Sequence, residues 1–348
     1  MNNIYILTSG YKGGITTFVK QQIQYLKSNK NSINVIDNNP FVTFKDIPKK
    51  KLNLYSIGTN KNYFSTYRKL NSIFLKKNNS GYVLITNYAI FVKFFFLFIS
   101  LKKKKFKIIL SIHSGLLNFT FKSYLAAILF SFACIKVDKL IFGSLSAKKW
   151  WHSKFPWFFK KSVVIYNGIK IQKKSYFKDN YISNSLNVSF VGRVEFENNP
   201  YLFVNVARES LRRSINFKFN MFGDGNLLND IRKYKFINFY GWQPLNKIIR
   251  NTDILLILSK VNNFPYAALE AKSFGIPVIS CSEGDISRII RNNQDGFLLK
   301  DSNVNVIINH LLKVSNRYKY FRKSSLKNVK NFNVNLACTK LWSYINKN

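Results

Sequence analysis

Residues 258–280 read LSKVNNFPYAALEAKSFGIPVIS, and the order of residue types in this stretch decides the fold. The end of an apolar strand is followed by a polar loop, a helix opened by Pro265, a stop at Gly275 and a second apolar strand. Proline suits a first helical position, where its missing N–H has no partner to lose, and glycine suits the position just past the last turn. The spacing predicts a helix from about residue 265 to 274 with free amide groups aimed back at Asn262 and Asn263. Those amides and the positive end of the helix dipole form an anion socket. Glu270 stands further in, roughly 7 Å along the axis at about 1.5 Å per residue, too deep to meet a phosphate but placed to accept hydrogen bonds from sugar hydroxyls beside one.

Working outward, the same alternation recurs. Residues 3–9 form an apolar run, a glycine-rich turn reaches Gly13 and Gly14, and a helical pattern follows through Ile15, Phe18, Val19, Ile23 and Leu26. This is the opening unit of a doubly wound sheet, although the turn is not the GxGxxG of dinucleotide sites. Residues 107–112 read as a strand that delivers His113 at its carboxyl end, where α/β proteins place ligands. Residues 186–191 lead to Gly192 and Arg193, and residues 217–222 lead to Gly223, Asp224 and Gly225. Residues 169–185 show no periodicity and read as a linker.

At 348 residues and 47% hydrophobic content the chain is long and apolar enough for two cores, and disorder is excluded. The net charge of +40 raises nucleic acid as a partner. Lysine outnumbers arginine, however, and the basic residues are spread along the chain with no RNA or DNA module around them, which argues against that class. The charge is heavier in the first half, where an anionic membrane leaflet would gain about 1 kcal/mol from each nearby lysine. Residues 88–101, YAIFVKFFFLFISL, run into Lys102, Lys103, Lys104 and Lys105. They are too short for the ~30 Å apolar core of a bilayer and read either as a core-packed crossover helix or as an aromatic, basic face resting on a membrane. Cys134, Cys281 and Cys338 lie far apart in apolar surroundings, without metal-ligand spacing, which suggests buried thiols in a cytosolic protein.

The 258–280 stretch resembles the signature of retaining glycosyltransferases of the two-domain GT-B fold, in which Glu-x7-Glu precedes Gly-x-Pro-Val. Asn262 and Glu270 have the spacing; Phe264 and Pro265 match Phe-Pro; Leu269, Glu270 and Ala271 match Leu-Glu-Ala; Gly275, Pro277 and Val278 complete it. Asn262 stands where the family carries its first Glu, Asn198 where it carries a Lys after Gly-Arg, and Arg288 where it often has Glu. The resemblance implies two Rossmann-like β/α/β domains facing across a cleft: residues 1–168 on the acceptor side, a linker at 169–185, a nucleotide-sugar domain at 186–330, and a C-terminal helix at 331–348 returning to the first domain. It also implies site roles. Gly13 and Gly14 approach the donor diphosphate, Arg193 neutralises it, and Gly223 lies near the base. The residues Asn263, Phe264, Pro265 and Leu269 surround the donor, Glu270 holds the ribose, and Asn262 and His113 meet the sugar.

The expected function is therefore transfer of a sugar from a nucleoside diphosphate sugar to a hydroxyl of a lipid-linked or surface glycan, of lipopolysaccharide, O-antigen or capsule type, with retention. No metal or other cofactor is expected, nucleic acid is not a partner, and the location is cytoplasmic or peripheral at the inner face of the cell membrane. The alternatives are a GT-B relative that binds nucleotide without transfer, motivated by Asn262, Asn198 and Arg288, and a basic membrane or nucleic-acid adaptor.

Overall fold

A computed structural model describes residues 3–8, 13–28, 31–48, 50–58, 62–75, 80–113, 121–158, 162–171, 185–260, 264–281 and 284–347. Packing divides the chain into two units, residues 1–167 with 335–348, and residues 168–334.

Among the described residues of the first unit, seven parallel strands form one sheet. They are β1 (Asn3–Leu7), β2 (Ser32–Asp37), β3 (Leu52–Ser56), β4 (Gly81–Ile85), β5 (Phe106–Ile112), β6 (Lys139–Phe142) and β7 (Ser162–Val164), in the order β3-β2-β1-β4-β5-β6-β7. Asn3 of β1 lies opposite both Ser32 of β2 and Gly81 of β4, so the central strand is paired along its whole length. Crossover helices cover such a sheet, which is why its strands are near-continuous apolar runs; Ile4, Ile6, Leu7, Ile33, Val35 and Ile36 are all buried.

Residues 88–101 belong to this core. Two helices, Tyr88–Lys93 and Phe95–Lys103, meet at Phe94, the first capped by Asn87, which accepts from the amides of Ala89 and Ile90. Phe91, Phe94, Leu97, Phe98 and Leu101 point inward and are at most 2% exposed, so this segment offers no broad apolar face to a bilayer. The helix Val334–Asn346 also packs on the first unit. The indole of Trp342 donates to Gln22 Oε1 at 3.0 Å, and Gln22 Nε2 reaches Cys338 Sγ at 3.3 Å.

The described residues of the second unit hold six parallel strands, β8 (Leu186–Val191), β9 (Phe217–Phe222), β10 (Ile237–Gly241), β11 (Ile254–Ile257), β12 (Val278–Cys281) and β13 (Gly296–Leu299), in the order β10-β9-β8-β11-β12-β13. In both sheets the strand order reverses once, between β1 and β4 and between β8 and β11. Open α/β sheets bind ligands outside the carboxyl ends of the strands at this reversal. A helix at Tyr318–Val329, absent from the sequence reading, packs here through Phe321, Ser325, Asn328 and Val329. Half of that buried stripe is polar, so apolar periodicity did not reveal it.

Candidate functional site

In the second unit the reversal brings the end of β8, with Gly192 and Arg193, beside the end of β11, with Ser259 and Lys260. The turn after β9 crosses the turn after β8 at backbone distance. A Cβ on Gly223, whose φ is +140°, would sit 1.8 Å from the carbonyl oxygen of Gly192, so only glycine fits. Hydrogen bonds from Val194 N to Asp224 O (2.9 Å) and from Leu227 N to Val194 O (3.1 Å) lock the two turns together.

Arg193 is 66% exposed and only loosely paired, its guanidinium 3.7 Å from Glu197. Such a pair contributes about 0–1 kcal/mol, so an incoming anion can recruit the arginine at small cost. Asn198 occupies the position expected for a lysine, and its amide does structural duty. Its Nδ2 donates to Arg193 O at 2.7 Å, and its Oδ1 accepts from Ser259 Oγ at 3.0 Å, tying the β8 turn to the β11 end. Lys260 joins the same turn through its amide, 2.8 Å from Glu197 O, with its ammonium over the Phe196 ring.

The helix of the opening stretch runs Tyr266–Ser273, one residue shorter at each end than expected. Pro265 is extended and forms the N-cap, so it precedes the first turn and does not occupy it. At the other end Gly275 (φ +77°) donates to Lys272 O and Ile276 donates to Ala271 O, both at 3.0 Å, the paired bonds that a left-handed residue after a helix makes possible. Every residue of this helix is buried except Ala267 and Glu270, one turn apart. Leu269 is fully buried, so its side chain packs the core and offers nothing to a ligand; Phe264 is also buried, 5.9 Å from Phe332.

Glu270 borders a small recess with Val191, Ile248, Ile249 and Ala267. Among the described residues no side chain pairs with its carboxylate, and burial pushes its pKa up to about 7. The group keeps some exposed surface although protein surrounds most of it, which suits a carboxylate that gains its hydrogen bonds from a ligand. Asn262 and Asn263 lie outside the described residues.

A buried ion pair beneath this helix escaped the sequence reading. Lys272 Nζ lies 2.6 Å from Asp295 Oδ1 and donates to Ile289 O at 2.8 Å, with both side chains sealed from solvent. Asp295 also accepts from Arg291 N at 2.8 Å and from Asn328 Nδ2 at 2.6 Å. The network joins the Glu270 helix, the 289–295 turn and the Tyr318–Val329 helix. Burial lowers the Lys272 pKa to about 8, against the pull of Asp295.

In the first unit the helix Gly14–Ser28 starts just after Gly13, near the carboxyl end of β1. Phe18, one turn in, packs 4.5 Å from the His113 ring at the end of β5, so the glycine turn and the histidine share a neighbourhood. His113 Nε2 is 3.0 Å from Ser111 Oγ, and the ring lies so close to Gly143 that a Cβ there would stand 2.7 Å from Nδ1. Desolvation lowers the His113 pKa to about 4, so the imidazole is neutral near pH 7 and acts through hydrogen bonds, without charge.

Similarity to known proteins fits this geometry. Residues 172–330 match the family model described as glycosyl transferases group 1. The chain is 28% identical over 176 residues to an Escherichia coli UDP-Gal:alpha-D-GlcNAc-diphosphoundecaprenol alpha-1,3-galactosyltransferase, covering 44% of this chain and 45% of that protein. It is 30% identical over 149 residues to a Salmonella typhimurium lipopolysaccharide 1,6-galactosyltransferase, covering 38% and 40%. These matches span less than half the length of either relative. A glycosyltransferase structure from Rickettsia africae superposes with a TM-score of 0.77 at 19% identity, over 100% of this chain and 99% of that one. The two parallel α/β units are thus those of the GT-B fold, and the unit that carries Arg193, Gly223 and Glu270 is the one that matches the group 1 glycosyl transferases.

Proposed function

We propose that the protein is a retaining glycosyltransferase that moves a sugar from a nucleoside diphosphate sugar to a hydroxyl of a lipid-linked or surface glycan, of lipopolysaccharide, O-antigen or capsule type. The observation that carries this reading is Glu270: a desolvated carboxylate that no side chain among the described residues pairs with, beside the sheet reversal that also presents Arg193. A pentose with two adjacent hydroxyls supplies the missing donors, and the arginine meets the diphosphate attached to that pentose. The names of the Escherichia coli and Salmonella relatives support a diphospholipid-linked or lipopolysaccharide acceptor.

In this reading the second unit holds the donor and the first the acceptor. The acceptor hydroxyl attacks the anomeric carbon from the face of the departing diphosphate. The new C–O bond forms as the bond to the diphosphate breaks, and the hydroxyl proton passes to a diphosphate oxygen. Arg193 and the amides ahead of the Tyr266 helix carry the growing negative charge, with no metal in the scheme. Neutral His113 and Asn262 hold sugar hydroxyls. The enzyme works at the cytoplasmic face, in peripheral contact with an anionic membrane.

Calorimetry with a panel of nucleoside diphosphates tests the core of the reading. One member should bind the wild type, and Glu270→Ala should weaken it at least about tenfold, a loss of roughly 1.4 kcal/mol. Absence of binding by the wild type to every member, or identical binding by Glu270→Ala, refutes the donor site. Turnover with the matching nucleotide sugar and a polyprenyl-diphosphate saccharide then tests transfer.

A further inference from the structure

From Leu125 onward the helix Phe121–Cys134, FKSYLAAILFSFAC, carries a single polar side chain, Ser131, yet only one side faces the core. Ala127, Phe130, Ala133 and Cys134 are buried, whereas Leu125, Leu129 and Phe132 point outward at spacings of four and three residues. A surface helix ordinarily puts polar groups on that face. Tyr124 and Ile135 flank the stripe, and Trp157 extends it from a neighbouring turn, stacked 5.2 Å from Phe132 and anchored by its indole N–H on Ser131 Oγ at 3.1 Å. These six side chains are each 44–56% exposed, a contiguous apolar surface of the kind that marks a contact site.

Charge decides what covers it. Between residues 88 and 161 the chain has 14 lysines, no arginine and one acidic residue, Asp138. Asp138 is already engaged, 2.8 Å from Lys102 Nζ and accepting from Ile108 N. Lys102 also donates to Lys136 O at 2.9 Å, which places the run from Lys102 to Lys105 beside the carboxyl end of the apolar stripe; Lys103, Lys104, Lys105 and Lys136 are exposed. These lysines repel a second copy of the same face. A nucleic-acid backbone has no use for a leucine and phenylalanine ridge. An anionic bilayer satisfies both features, since its acyl boundary takes the aliphatic and aromatic groups while its phosphates meet the ammonium rim.

We propose that the outward stripe of the Phe121–Cys134 helix, with Trp157 and the lysines from Lys102 to Lys105, is the surface by which this protein docks on an anionic phospholipid bilayer. This deepens the peripheral-membrane part of the function proposed above and assigns it to a helix that the aromatic run at residues 88–101 does not include. The helix lies in the plane of the interface; among the described residues none is long and apolar enough to cross a membrane.

Co-sedimentation with vesicles of phosphatidylcholine alone, and of phosphatidylcholine mixed equally with phosphatidylglycerol, tests the assignment. The wild type should bind the mixed vesicles and largely ignore the neutral ones. The triple variant Leu125→Gln, Leu129→Gln, Phe132→Gln should lose at least about tenfold in partitioning, as deletion of three buried apolar groups requires. The variant Lys103→Glu, Lys104→Glu, Lys105→Glu should lose binding most strongly at low salt. An unchanged melting temperature and unchanged nucleotide binding establish that each variant is folded. The proposal fails if the wild type does not prefer anionic vesicles, or if the glutamine variant partitions like the wild type. It fails equally if light scattering shows that the glutamine variant only dissociates an oligomer. Loss of nucleotide binding in Glu270→Ala with intact vesicle binding separates the fate of the donor site from that of this surface.

Discussion

Replacing Lys272 by methionine keeps the length of the side chain and removes its charge, which isolates the buried ion pair under the Glu270 helix. Asp295 would keep the amide of Arg291 and the side chain of Asn328 but lose the cation 2.6 Å away, inside protein that admits no water. Breaking one half of such a pair costs about 3–5 kcal/mol, because the partner's charge stays buried and uncompensated. A domain is stable by only about 5–15 kcal/mol, so about a fifth or more of the total is at stake. At this size each kcal/mol moves the melting temperature by about 2–4 °C, so scanning calorimetry should show the second unit melting about 6–20 °C lower. Lys272→Met with Asp295→Leu should recover much of the loss, since apolar groups of similar volume replace buried ion pairs at little net cost. A single variant that melts within about 1 °C of the wild type, or a double variant that loses the full sum of the two single losses, refutes the assigned role.

Burial holds the Glu270 carboxyl at about 7 against an ordinary 4.5, so between these values the folded protein keeps a proton that the unfolded chain has shed. Stability should therefore fall as pH rises through that window, by at most about 3 kcal/mol, and level off above it; Glu270→Gln should flatten the slope in denaturant titrations at stepped pH. Nucleotide affinity should run the other way and weaken as pH drops below about 7, because sugar hydroxyls donate to the ionised carboxylate, and calorimetry should show no such carboxylate-linked loss in Glu270→Gln. Gly223→Ala forces a methyl into the Gly192 carbonyl and should cost about 4 kcal/mol or more, read as a lower denaturant midpoint together with lost nucleotide binding. Arg193→Ala, at an exposed and weakly paired position, should leave stability within about 0.5 kcal/mol while lowering nucleotide affinity about tenfold, and a large drop in melting temperature would contradict its placement.

What the sequence disclosed and what it hid follow from the range of the interactions involved. Pro265, Gly275 and the flanking apolar runs act within a few residues of themselves, so the helix between them was legible to within a residue at each end. The sheets were legible for the same reason, since a parallel strand covered on both faces must be apolar almost throughout. His113 could be placed at a strand end from its neighbours in sequence, but its neutral state depends on Phe18 and Gly143 closing over the ring. Lys272 was the hardest case, because a lysine two residues from Glu270 on a short helix reads as a solvated charge. Only the fold brings it to Asp295, a residue that in sequence merely precedes a glycine turn. The Phe121–Cys134 helix misleads in the opposite sense: its composition signals complete burial, and which of its apolar faces stays outside is set by how the sheet and the neighbouring helices are laid down. The helix that carries Glu270 is thus tied down by a cation two residues along it, and the recess beside the carboxylate is lined mostly by aliphatic side chains.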